Sequence, residues 1–124
     1  MGIIQYKLTD RCRRRLLRQF PPRYKNVKCD HITLEFGVPK PDKLPPLPKK
    51  LFAVGYATDA KGVECLVVQV NNIIKRRPSG KIFHITLSIA DGRQSVESNQ
   101  VLAKFKWKRW KRKVPLQATV FFEP

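Results

Sequence analysis

One tetrapeptide occurs twice in this chain, as His31-Ile32-Thr33-Leu34 and as His84-Ile85-Thr86-Leu87, and the histidines that open it are the only two present. Given the first copy, this composition makes Ile-Thr-Leu after the second histidine about a 2-in-10,000 event, raised somewhat by the strand preference of Ile and Thr. Each copy lies in an apolar, β-rich run, residues 30–38 and 81–90, with the pattern of a strand. Residues two apart in a strand share a face. His31, Thr33 and Glu35 therefore project together, with Ile32, Leu34 and Phe36 behind them. The second copy puts His84, Thr86 and Ser88 in front and Ile85, Leu87 and Ile89 behind. Two strands thus each anchor an apolar back in a core and offer an imidazole and a hydroxyl outward.

That pairing suits phosphodiester chemistry. Histidine has an unperturbed pKa of about 6.5, so at neutral pH a pair can hold one neutral and one protonated ring. The neutral ring takes a proton from the attacking oxygen, and the imidazolium gives one to the departing oxygen. Hydroxyls at Thr33 and Thr86 can donate to the non-bridging phosphate oxygens, where charge builds up. Which histidine is acid and which is base is not written in the sequence. The bland alternative is two half-buried strand histidines that share neighbours by chance. Repetition of four letters, the lack of other histidines and the basic surroundings weigh against it.

Two His-x-Thr motifs on separate strands resemble the 2H phosphoesterases, which include 2′-5′ RNA ligase-like proteins, cyclic phosphodiesterase domains of tRNA ligases and phage enzymes that cleave cyclic oligonucleotides. The resemblance rests on His31/Thr33 and His84/Thr86, and residues 82–99 look like the second-motif region of RNA-repair members. Length and the order of elements suggest a single α+β domain over residues 1–124 with largely antiparallel sheets. The resemblance sharpens this to a bilobal fold with two short helices flanking a central cleft. It further implies that His31 and His84 are catalytic, that Thr33 and Thr86 bind phosphate, and that no cofactor is used. The partner would be RNA, or a nucleotide, with a 2′,3′-cyclic phosphate or a 2′-5′ linkage. The interval between the histidines is short for the family, which implies a trimmed connection between the lobes.

Lys and Arg number 26 against 9 acids, for a formal charge of +17 over 124 residues. Such a balance calls for an anionic partner, which here means nucleic acid. No apolar run approaches the ~20 residues needed to span a bilayer, and Gln5 and Lys7 come too early for a signal-peptide core. Cys12, Cys29 and Cys65 are odd in number and without paired spacing, as expected of reduced thiols in a cytoplasmic protein. Two histidines and three scattered cysteines form no metal-ligand cluster.

Along the chain, residues 1–7 suit a short edge strand. Thr9 or Asp10 caps a helix to about Gln19, which Pro21 and Pro22 stop. Leu8, Cys12, Leu16 and Phe20 give it an apolar stripe, while Arg11, Arg14, Arg15 and Arg18 form a basic face that is either solvated or in contact with phosphate. Prolines at 39, 41, 45, 46 and 48 forbid regular structure in residues 39–50, which link the halves, cover the cleft or serve a proline-reading domain. Residues 51–58 and 63–71 form a hairpin about Asp59-Ala60-Lys61-Gly62. Ser95 or Ser98 caps a short helix to about Ala103, and residues 116–122 close the fold as a strand.

Residues 104–113 hold seven cations and three aromatics, a mixture that suits single-stranded RNA or, more weakly, a nuclear-localisation signal. Lys108, Arg109, Trp110 and Lys111 are the candidate contacts. Strand alternation turns Phe105 and Trp107 together, either into the core or as stacking surfaces with equal weight, and leaves Trp110 as the exposed stacking platform. The expected activity is metal-independent hydrolysis at RNA ends. Cleavage of cyclic oligonucleotide signals, or a basic RNA-binding module that does not cut, are the alternatives.

Overall fold

Thr9 both ends the first strand and starts the first helix. In the computed structural model, which describes residues 1–124, strand β1 (Gly2–Leu8) runs directly into helix α1 (Asp10–Gln19). The Thr9 hydroxyl accepts the Cys12 N–H at 3.2 Å. Asp10 in the first turn and Arg18 in the last complement the helix dipole. Cys12 and Leu16 are fully buried, and trimming Leu16 to Ala would cost about 2–5 kcal/mol.

The remaining elements are β2 (Asn26–Val27), β3 (His31–Val38), β4 (Leu51–Thr58), β5 (Val63–Val70), β6 (His84–Ile89), a 3₁₀ turn (Ser95–Glu97), α2 (Ser98–Lys104), β7 (Lys108–Pro115) and β8 (Ala118–Glu123). The fold is mixed α+β. Its strands pair antiparallel in two sheets, one ordered β3-β1-β8 and the other β2-β6-β5-β4-β7. Residues 39–50 contain no helix or strand, as their prolines require. Strand β1, expected at an edge, is the centre of its sheet because β8 returns from the far end of the chain to pair with it. No local signal announces so distant a partner.

The larger apolar cluster lies between the sheets and α1, and takes in Tyr6, Leu16, Ile32, Leu66, Val68, Ile85 and Leu87. A second cluster covers the other face of the five-stranded sheet, where Val63, Cys65 and Val67 meet Val101 and Leu102 of α2. Strand β5 is therefore buried on both faces, which explains its nearly unbroken apolar run. All three cysteines are buried and free. Burial pushes the Cys29 and Cys65 thiols up to about 12, so neither is a thiolate at neutral pH.

Both copies of the repeated tetrapeptide carry the same irregularity. On β3, Thr33 pairs with Gln5 and Glu35 with Ile4, so Leu34 is an extra residue. On β6, Thr86 pairs with Cys65 and Ser88 with Glu64, so Leu87 is an extra residue. A β-bulge thus falls on the leucine each time and inverts the alternation beyond it. A further extra residue on β3 is Gly37, whose φ of +71° favours glycine.

These bulges revise four expectations. Ile89, expected behind with Ile85 and Leu87, lies in the second cluster on the opposite face. Glu35 leaves the face of His31 and pairs with Ile4 on the other side. Phe36, expected in the core, is 71% exposed. Ser88 is fully buried, where it donates to the Glu64 carboxylate and accepts the Tyr24 N–H at 3.1 Å. Glu64, 1% exposed, also accepts the Arg23 N–H at 2.8 Å and the Tyr56 hydroxyl at 2.5 Å. This knot ties residues 23–24 to β5 and β6, upstream of the first motif.

Candidate active site

The two motifs belong to different sheets, and one short segment joins them. Beyond β2 the backbone continues along β6, with Lys28 N–H donating to Leu87 O at 2.9 Å and Cys29 N–H to Thr86 O at 2.8 Å. Cys29 then turns with φ of +50°. The Asp30 carbonyl accepts the Leu8 N–H at 2.9 Å, and β3 begins at His31 on the edge of β1. His31 thus starts two residues after the partner of Thr86. The apolar backs of both motifs, Ile32, Ile85 and Leu87, sit in the single core between the sheets.

Their fronts meet in a cavity of about 740 Å³, lined by His31, Thr33, His84 and Thr86 together. Helix α1 contributes Arg13 to its wall and α2 contributes Asn99. Each candidate side chain has a distinct setting. His84 is half-buried, and its Nδ1 donates to Ile82 O at 2.9 Å, which leaves the Nε2 lone pair available. Burial holds its pKa below the usual 6.5; the Ile82 bond opposes that shift, while the charges of Arg76, His31 and Lys81 add to it. His84 is therefore a neutral imidazole at pH 7. His31, with 33% of its side chain exposed, sets Nδ1 3.2 Å from the Asp30 carboxylate. With the Nδ1 proton donated to Asp30, Nε2 is the ring nitrogen left without a partner.

The Thr86 hydroxyl lies 2.9 Å from Ser98 Oγ and 3.3 Å from Ser95 O. When Ser98 donates, the Thr86 proton is free to turn from the long Ser95 bond toward an anion. Ser98 is fully buried, so this brace is shielded from water.

Four cations line the same cavity: Arg13, Lys28, Arg76 and Lys81. None belongs to any of the four ion pairs, whose cationic members are Lys25, His31 and Arg93. Arg76 is the most confined of them. Its Nη1 donates to Leu34 O at 3.4 Å, on the bulge of β3, and burial lowers its pKa from the usual guanidinium value. Arg13 is fixed by Nε and Nη2 bonds to Lys28 O at 3.2 and 3.1 Å. An excess of positive charge in a concave site concentrates anions.

Arg13, Lys28, Asp30, Arg76 and Lys81 were not singled out from the sequence. Arg13 falls off the regular arginine spacing of α1, and Arg76 and Lys81 sit in the connection between β5 and β6. Only Asp30, next to His31, carried a local signal.

The other candidates lie elsewhere. Arg11, Arg14, Arg18, Lys108, Arg109 and Lys111 are exposed and outside the cavity. Arg15 is tied down by Pro115 O and by Cys12 Sγ at 3.8 Å, so it fastens α1 to the end of β7. Trp110 stacks on Phe20 with centroids 4.5 Å apart and planes 5° from parallel, which removes it as a free platform. Trp107 packs against the second core cluster with Arg109 over its ring at 5.0 Å, whereas Phe105 is 44% exposed. Alternation does place Trp107 and Trp110 on opposite faces, but both faces are covered, Trp107 by the second cluster and Trp110 by the first, while Phe105 lies at the end of α2 before β7 begins. No three His, Cys, Asp or Glu side chains are grouped so as to hold a metal ion. No helix is long and apolar enough to cross a membrane.

No family model matches the chain, and no curated protein or solved structure matches it.

Proposed function

We propose that the chain is a 2H-type, metal-independent phosphoesterase that hydrolyses 2′,3′-cyclic phosphates at RNA ends. The observation that carries this reading is the convergence of both His-x-Thr motifs on one cation-lined cavity. The matched bulges at Leu34 and Leu87 support a bilobal arrangement in which each lobe supplies one motif strand.

His84 is the general base. Its Nε2 takes a proton from water as the water oxygen attacks phosphorus, and the bond from phosphorus to one ribose oxygen breaks. His31 is the general acid, giving its Nε2 proton to that departing oxygen. A phosphomonoester results, and the two rings have exchanged protonation states. Each transfer contributes about 10²–10⁴ in rate. Thr33, Thr86 and Arg76 stabilise the non-bridging oxygens, the guanidinium by charge-assisted hydrogen bonds in a partly dry site.

Outside the cavity, Arg11, Arg14 and Arg18 on α1 and Lys108, Arg109 and Lys111 on β7 bind the phosphates of the RNA body. The Phe20–Trp110 stack holds these two elements together. This cationic surface also favours a second reading, an RNA-binding module that does not cut.

One assay separates the readings: an oligonucleotide ending in a 2′,3′-cyclic phosphate, and cyclic dinucleotides beside it, incubated with protein in EDTA. Opening of the terminal cyclic phosphate supports the proposal. Intact RNA that nonetheless shifts on a gel, with steep salt dependence, supports the binder. Cleavage of the cyclic dinucleotides alone moves the activity to signal hydrolysis.

A further inference from the structure

The cavity has a second character besides its charge. Three of the chain's exposed large apolar residues line it: Phe36 at 71%, Val96 at 60% and Val27 at 40%. Phe36 is there because the bulge at Leu34 turned it off the core side. Leaving a phenylalanine wet forgoes most of the burial free energy that the ring would gain in a core. Beside it on β1 its cross-strand partner Ile3 lines the same cavity, so the ring has an apolar backing. Thr33 and Phe36 pair with Gln5 and Ile3, two residues apart on β1, which sets them about 7 Å from each other on one face. That spacing suits a phosphate and a flat ring joined through one ribose.

We infer that Phe36, backed by Ile3, is the floor of a base-stacking subsite, so that the cavity selects a phosphoester carrying a nucleobase one ribose from the phosphate. The inference rests on the proposed phosphate position between His31 and His84. A phosphorylated sugar without a base would leave the ring bare. Stacking on an aromatic face tolerates any base, so the subsite confers nucleotide selectivity without base identity.

The test uses the full chain and ligands that are not turned over, adenosine 3′-monophosphate and ribose 3-phosphate, titrated by NMR. In the unaltered protein the nucleotide should bind more tightly and its adenine protons should shift upfield from the Phe36 ring current. Phe36→Ala should weaken nucleotide binding about 5–150-fold, leave ribose 3-phosphate unchanged and abolish the upfield shift. Phe36→Tyr should restore both. The ring is exposed, so these variants should melt with the parent protein. Equal binding of the two ligands, or equal losses for both in Phe36→Ala, would overturn the subsite. Binding of neither ligand would overturn the phosphate site, and the subsite with it. An absence of turnover on cyclic phosphates would remove the catalytic reading alone, because the titration does not depend on it.

Discussion

Arg76 supplies the sharpest separation between function and stability. Its guanidinium is half-buried, has no carboxylate partner, and makes one long bond, 3.4 Å, to Leu34 O. Replacement by Met keeps the apolar stem and removes the charge. A bond of that length contributes under about 1 kcal/mol, and relief of the confined charge offsets part of it. Thermal melting of Arg76→Met should therefore stay within about 3 °C of the parent. Activity should respond quite differently. A hydrogen bond from a charged donor is worth about 1.5–3 kcal/mol, and if the anion engages Arg76 in the transition state this is a loss of about 10–150-fold in kcat/KM. Lys at this position should recover only part, since an ammonium lacks the planar fork. The assay is steady-state cleavage of a 2′,3′-cyclic-phosphate oligonucleotide alongside a melt. Wild-type kcat/KM in Arg76→Met, or a stability loss of several kcal/mol, would refute the assignment.

Other perturbations have equally definite signs. With His84 as base, kcat/KM should rise as pH climbs through its depressed pKa, so the acid limb falls below pH 6.5; Arg76→Met should move that limb upward, and a limb above 6.5 would contradict the assignment. Glu64→Leu leaves the Arg23 N–H and the Tyr56 and Ser88 hydroxyls without their acceptor, and should cost about 3 kcal/mol or more in a denaturant melt. A loss below about 1 kcal/mol would show that the knot does not hold the fold. Replacing Arg11, Arg14 and Arg18 by Ala should lower the slope of log K against log salt for single-stranded RNA by about 2, at about 0.7 per phosphate. An unchanged slope would remove α1 from the RNA path.

What the chain declares locally, the fold repeats closely. Thr9 and the prolines after Gln19 bound α1, the Asp59–Gly62 turn joins strands at 51–58 and 63–70, and both motif histidines open strands. The apolar backs of the two motifs were legible from period two alone. Their limits were not. Nothing in the tetrapeptide distinguishes a leucine that continues the pleat from one that bulges, because the extra residue exists only relative to Ile4–Gln5 and Glu64–Cys65 on the neighbouring strands. Phe36, Glu35, Ser88 and Ile89 were misjudged for that one reason. Trp110 was misjudged because the face opposite Trp107 is covered too, by the first cluster and by Phe20 from the end of α1, a property of tertiary packing. Arg13 and Arg76 reach the cavity through tertiary geometry, and among 26 basic residues no local feature marks them.

The central claim is that His31 and His84 act on one phosphate as a unit. Groups that act as a unit lose their effect together, so a double-mutant cycle on the cyclic-phosphate assay tests it most directly. His31→Ala, His84→Ala and the double variant should all fall to the same residual rate, each folded by circular dichroism. Losses that multiply, or one single variant that keeps its turnover, would contradict a shared acid–base pair.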